Sequence, residues 1–256
     1  MIQAAANLKA SAALLGLDWS SVQRIMERAV ERGLLQRELD NVTRVGIDEK
    51  SFRRGQDYVS VMTDPDESRV LEVSEGRDEK AADILWNMFS EGQRQQIEAV
   101  SMDMWKAFEN SAEKNVPDAE IVHDRYHISA HLNAAVDKVR RSENKALRQQ
   151  GDDRLKGSRN LGRYNEENIS DERRPEFEPL KNAELKTSRA WALKEQFRWF
   201  WEYHYPGNAE KFFNSWYAWA SRCRLEPMKK VARMLKNRLP RILTWFRHRI
   251  SNATAE

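Results

Sequence analysis

Asp48 and Asp103 each close an apolar run with β-branched residues, VTRVGIDE and IEAVSMD. Runs of that length and composition read as buried strands. A carboxylate at the mouth of a buried strand is costly to desolvate unless it is paired or holds a metal. Two such strand ends in one small domain point to a shared divalent-ion site, and so to a metal-dependent nuclease or phosphoryl-transfer enzyme. Magnesium takes a few carboxylates and completes its shell with waters and substrate phosphates. Two such ions, roughly 3.5–4 Å apart, activate a water or hydroxyl and stabilise the leaving oxygen. The third ligand is expected to be another acid, and the sequence ends on one, Glu256. For two isolated acids the alternative is a helix N-cap and a surface ion pair.

The elements that must position these acids follow from periodicity. Residues 42–48, 57–64 and 69–74 are apolar and β-branched, split by turn signals at Gly55 and Pro65, and read as an antiparallel meander. Residues 78–90 have helical spacing, 97–103 read as a strand, 105–114 as a helix and 119–124 as a strand. The order β-β-β-α-β-α-β predicts a mixed sheet with helices on its faces. If the strands ending in Asp48 and Asp103 are neighbours, the two carboxylates meet at one edge. Alternation puts Asp48 on the face of Gly46 and Arg44, with Glu49 opposite. From 125 to 250 only helices are predicted: 125–149, about 171–182, 184–204, 208–223, 227–238 and 240–250. Gly151, Gly157, Pro175, Pro206-Gly207, Pro227 and Pro240 punctuate them.

Upstream, residues 8–38 read as two or three short helices. Ala12, Gly16 and Val22 suit a helix-turn-helix, with Leu15, Leu17 and Ile25 at core positions and Asp18 or Ser20 as the cap. In such a motif Ser20, Ser21, Gln23, Arg24 and Arg28 would enter the major groove. A plain helical hairpin is the other reading.

The net charge of +3 hides an asymmetry: residues 1–40 are neutral, 41–124 carry −9 and 125–256 carry +12. An acidic centre beside a basic half suits a metal site fed by a polyanion. Arg140, Arg141, Arg148, Arg154, Lys156, Arg159 and Arg163 form the densest positive stretch and are candidate phosphate contacts, against solvated helix faces. Trp191, Trp199, Trp201, Trp216, Trp219 and Trp245 read as the core of the helical half rather than a base-stacking platform. His123, His127 and His131 would stripe one helix face as a zinc site, but His123 and Asp124 close a strand, which breaks the stripe. One cysteine in 256 residues excludes a disulfide framework and a cysteine-based zinc site. It fits a reducing, cytoplasmic setting. No apolar run approaches a membrane span, and mean hydropathy is −0.81.

The runs GIDEKSFRRGQDYVSVMTD, EAVSMDMWKAF, AEIVHDRYHISAHLNAAVDKVRR, ALKEQF and SNATAE resemble, in order, the DDE transposases of bacterial insertion sequences, most closely the ISL-three group. The resemblance implies a ribonuclease-H-like core over 41–124, a long all-helical insertion over 125–250 and, at 251–256, the start of a helix carrying the third acid. It implies that Asp48, Asp103 and Glu256, separated by 55 and 153 residues, hold Mg²⁺ or Mn²⁺ and are the catalytic acids. Asp124 and His127, in a word the family shares, would lie near them. Metal-assisted cleavage and strand transfer of transposon-end double-stranded DNA, in a homo-oligomer within the bacterial cytoplasm and nucleoid, follow as expectations. Family members usually begin with a cysteine-rich zinc-binding segment and continue past the third acid. Neither part is in this sequence, so a fragment that binds DNA without cutting it is the alternative. Gln23→Ala or Arg24→Ala is expected to cost discrimination between transposon-end and random duplex rather than general affinity. Parallel titrations of the two DNAs test this, and equal losses on both would reassign these side chains to backbone contact or packing.

Overall fold

The computed structural model describes residues 7–51, 57–160, 162 and 164–252. It divides into two units, Met1–Asn41 and Val42–Glu256.

In the first unit α1 (Leu8–Leu15) and α2 (Trp19–Leu35) form a helix pair. Gly16 ends α1 in the left-handed conformation at φ 64°, where a Cβ would be strained. Asp18 caps α2, accepting from the Ser21 amide at 2.9 Å. Ala12 and Val22 are buried, as the spacing requires, but Leu17 is 42% exposed and is not a core residue. It lies in the two-residue link beyond the Gly16 turn, outside either helical stripe.

The second unit is built on a five-stranded sheet of β1 (Arg44–Ser51), β2 (Tyr58–Asp64), β3 (Arg69–Glu75), β4 (Ala99–Met102) and β5 (Glu120–His123), in the order β3-β2-β1-β4-β5. The three meander strands pair antiparallel, and β1, β4 and β5 run parallel. β4 is buried at every residue, as a parallel strand covered on both faces must be. At the edge, β3 turns Val70 and Val73 outward. The mixed α/β architecture is the one expected, and it is consistent with a ribonuclease-H-like core.

Several boundaries differ from the periodicity. The helix expected over 78–90 is α3 (Glu79–Leu85) followed by a 3₁₀ turn. Ser90 then starts the short α4 (Glu91–Gln95) with a capping box. α5 (Lys106–Asn115) and α6 (Arg125–Gln149) lie as expected. Beyond them come α7 (Arg174–Lys181), α8 (Lys186–Phe197), α9 (Pro206–Arg222), α10 (Glu226–Leu243) and α11 (Trp245–His248). Pro175, Pro206 and Pro227 sit in first turns, where the missing N–H costs nothing. Pro240 does not divide two helices: it lies inside α10, which continues to Leu243 although the proline has no N–H to offer the Lys236 carbonyl.

One hydrophobic core runs from the sheet into these helices, joining Ala99 and Val122 to Leu132, Phe197, Phe213, Trp216 and Met228. Trp191, Trp216 and Trp245 are buried in it, as expected, whereas Trp199 and Trp219 are 61% and 43% exposed. A polar clamp docks α10 on α5. Buried Glu109 receives Arg241 at 2.8 Å and faces Arg238 at 3.6 Å. Fully buried His123 lies 3.7 Å from the same carboxylate, and neither ring nitrogen has a hydrogen-bond partner. Burial, reinforced by Arg238 and Arg241, pushes the His123 imidazole down from 6.5 to about 4. The unfolded chain therefore binds a proton below pH 6.5 that the folded chain refuses until about pH 4. Stability from this group is complete above pH 6.5 and is lost as pH falls, by roughly 3 kcal/mol in total. Denaturant melts between pH 7 and 4 should show that loss, and His123→Phe should remove about this share of it.

Candidate active site

The site is assembled by strand register. β1 pairs with β4 so that Ile47 faces Met102, and β4 pairs with β5 so that Met102 faces His123. The next residue on each strand is an acid: Asp48, Asp103 and Asp124. Three carboxylates thus stand side by side at the carboxyl edge of three parallel strands, the position where open α/β sheets place their ligand crevice.

They are not equivalent. Asp48 is 3% exposed. Burial works against its charge. The facing His127 imidazole, the Glu49 amide at 2.8 Å and Lys50 outweigh burial and hold the carboxyl below its usual range. Asp103 is more open, with 28% of its side chain exposed, and accepts from the Met104 amide at 2.6 Å. Asp124 is buried and fully committed. One oxygen accepts from the Tyr126 amide at 2.8 Å, capping α6, and the other from the Asn252 amide at 2.5 Å.

His127 stands between the first two acids, Nε2 at 3.7 Å from Asp48 and Nδ1 at 3.5 Å from Asp103. Both distances are too long for hydrogen bonds, and Nε2 is buried without a partner. Burial opposes protonation of this ring, but Asp48, Asp103 and Asp124 overcome it and raise its pKa. When protonated, this imidazole supplies positive charge between the carboxylates. Burial together with Asp103 and Asp48 raises the Glu49 carboxyl against the opposing pull of Arg77, so Glu49 belongs to the same electrostatic neighbourhood. Burial lowers His131.

The donor set fits a magnesium- or manganese-type ion: Asp48 and Asp103 offer hard oxygens, and such ions need only one or two carboxylates besides waters and phosphates. Among the described residues no group of three or more His, Cys, Asp or Glu is placed to hold a metal. Glu256 and Arg163 lie outside the described residues.

Asn252 is the site residue that the spacing did not single out, although the SNATAE word contains it. It is fully buried, and its Nδ2 donates to the Ile47 carbonyl at 2.8 Å while its amide donates to Asp124. It therefore clasps β1 immediately before Asp48. Gly46 makes room for it: a Cβ there would lie 2.6 Å from Thr63 Oγ1 and 2.8 Å from Asn252 Oδ1.

The candidate DNA contacts are less uniform than their sequence suggests. Ser20 and Ser21 both donate to Asp18, Gln23 donates to Glu27 and Arg24 to Ser21, while Arg28 is exposed on the same helix. Arg140 is 8% exposed and holds Asp137 at 2.8 Å. Arg141 and Arg148, with 63% and 61% side-chain exposure, pair with Asp137 and Asp153. Arg154 and Lys156 pair with Asp152 and Asp153, and Arg159 is exposed. Among the described residues no helix is long and apolar enough to cross a membrane.

Gly46→Ala should cost about 1–3 kcal/mol through overpacking and lever Asn252 away from β1. A lowered melting temperature, together with faster amide exchange at Asn252, would show both effects. Unchanged exchange at Asn252 would mean that Thr63 alone yields.

A transposase family model, that of the ISL3-type DDE transposases, matches residues 45–256. The chain is 27% identical over 253 residues to the transposase of insertion sequence element IS1001 from Bordetella parapertussis, covering 98% of this chain and 62% of that protein. It is 24% identical over 269 residues to the transposase of element IS1557 from Mycobacterium tuberculosis, covering 95% and 60%. The chain spans about three fifths of the length of these curated relatives. No solved structure matches it. With the match extending from β1 through the SNATAE word, the chain belongs to the ISL3 family of DDE transposases.

Proposed function

We propose that this chain carries the catalytic core of a DNA transposase, and that Asp48, Asp103 and Glu256 are its acid triad. One observation carries the reading: Asp48 in β1 and Asp103 just past β4 each follow the last paired residues, Ile47 and Met102, of neighbouring parallel strands, while Asn252, four positions before Glu256, is bonded to the strand that bears Asp48. Glu256 follows Asn252 by four positions, a span of at most about 14 Å, which supports counting it with the two aspartates.

Asp48 and Asp103, completed by Glu256, would hold Mg²⁺ or Mn²⁺. When bound, the ions would neutralise the scissile phosphate and activate water or a 3′-hydroxyl for in-line attack. The chain's own residues prepare that centre. Asp48 is held ionised at neutral pH by its neighbours. His127 balances the two carboxylates and stands within reach of a proton exchanged there. Asp124 spends both oxygens on positioning. For DNA, we assign phosphate contacts to the exposed Arg141 and Arg148 rather than to buried Arg140, and duplex reading to a helix-turn-helix formed by α1 and α2. Duplex transposon ends and target DNA are the substrates, and assembly of the two ends calls for a homo-oligomer.

Millimolar Mn²⁺ should raise the melting temperature by linkage, and Asp48→Asn or Asp103→Asn should remove that response with the fold intact. Nicking of plasmid DNA should fall by at least a hundredfold in either variant and in Glu256→Gln. A chain that binds duplex but shows neither metal response nor nicking would be a non-catalytic DNA-binding fragment.

A further inference from the structure

Beside the acids, two adjoining cavities of about 610 and 530 Å³ run along α6 and share Tyr126, Ser129, Asn133 and Tyr164. The first begins at Asp124 and Ser251, and the second ends at Arg159. Each lies in the volume range of sites for drug-sized molecules, and one nucleotide is of that size.

The lining has the chemistry of an unpaired base's surroundings. Tyr126 and Tyr164 are 57% and 42% exposed, unusual for rings that could have packed inward. Tyr126 also meets the His127 ring edge-on at 5.6 Å, and Asp124 lines one end of the groove, so the groove ends next to the helix turn that carries His127. Tyr164 sits on an anchored backbone: its carbonyl accepts from Trp191 Nε1 at 3.2 Å and from buried Lys194 Nζ at 2.8 Å. Between the rings Asn133 lines both cavities; its side-chain oxygen is buried without a hydrogen-bond partner, so the amide nitrogen of the same carboxamide is the group left for an occupant. A buried polar atom left unpaired is expensive, and a carboxamide is the group that reads a base edge.

Charge permits a phosphate. Of the lining acids, Asp124 is committed to Tyr126 and Asn252, and Asp137 to Arg140 and Arg141. Glu202 then remains against exposed Arg125 and Arg159, which make no ion pair among the described residues.

We propose that this groove holds an unpaired nucleotide of the DNA strand lying across the acids, its base stacked on Tyr164 or Tyr126 and its edge bonded to Asn133. This rests on the reading that the acids act on DNA, and it names the substrate form their neighbourhood takes: a locally opened duplex or a single strand. Stacking on one aromatic ring is worth roughly a factor of ten or more in affinity.

The test uses the full chain, in EDTA, with a six-nucleotide single strand carrying central 2-aminopurine, and a duplex of the same sequence as reference. The base analogue should be quenched on binding. Tyr164→Ala and Asn133→Leu should each weaken single-strand binding about tenfold and abolish the quench, with duplex affinity changed less than twofold. Ala130→Trp, at an exposed lining position, should block the groove without removing a packed side chain and so covers the case in which Tyr164→Ala fails to fold. Quenching that persists in Ala130→Trp and Asn133→Leu, or absence of quenching in the unaltered chain, overturns the proposal. If Tyr164-dependent quenching holds but no divalent ion supports nicking, the catalytic reading falls and the groove stands. Nicking with groove-independent quenching gives the reverse.

Discussion

The site depends on a single buried carboxylate with two neighbours. Asp124 caps α6 through the Tyr126 amide and holds the Asn252 amide. It thereby fixes both the helix that carries His127 and the chain segment that runs toward Glu256. Without it, a helix of twenty-five residues would begin on an uncapped end at the sheet's edge. Asn252 would keep its side-chain bond to Ile47 but lose the bond of its amide. Buried and acceptor-only, Asp124 gains its stability from those two donors, since an ionised carboxylate in that position is otherwise prohibitively desolvated. The helix start, the segment around Asn252, the middle of β1 and the end of β5 are therefore one polar unit.

The same constraint explains what the amino-acid order could and could not reveal. Strands β1, β4 and β5 are legible because their residues are apolar on both faces, and parallel pairing demands that. Asp48 and Asp103 are legible because acids are costly at such strand mouths. Asn252 was not legible, because its role is a backbone clasp between residues more than a hundred positions apart, and an asparagine in a polar word gives no periodic signal. Gly46 became meaningful only once Asn252 and Thr63 were found pressing on it. Leu17 and Pro240 misled for a simpler reason: local pattern rules count residues, whereas burial and helix continuation are set by where a residue falls relative to a helix end.

The helical half is more than a spacer. Its core is continuous with that of the sheet, and its α10 arginines, Arg238 and Arg241, reach back to Glu109, where His123 adds a fourth ionisable group. Glu109 is buried while Arg238 and Arg241 keep 29% and 32% of their side chains exposed, so losing both arginines would leave a buried carboxylate unpaired. The clamp fixes where α10 sits on the core, and with it the wall against which α6 and the groove are packed.

That arrangement also limits how the +12 charge of residues 125–256 can be used. Arg238 and Arg241 are spent inside the protein, and Arg140 is buried on Asp137. Arg141, Arg148, Arg154 and Lys156 each face an acid of their own segment at the surface. Exposed pairs of that kind are worth little, at most about 1 kcal/mol each, so a DNA phosphate can displace the carboxylate at small cost. Each exchange nevertheless frees an acid beside the DNA, which offsets part of the gain. On the proposed function, the surface offered to DNA is narrower than the net charge implies, and exposed cations without an internal competitor would add to Arg141 and Arg148. Arg125 and Arg159, at the groove mouths, are two of these among the described residues. Charge and cavity thus favour the same path, from Arg159 along α6 to the strand ends where Asp48 and Asp103 stand.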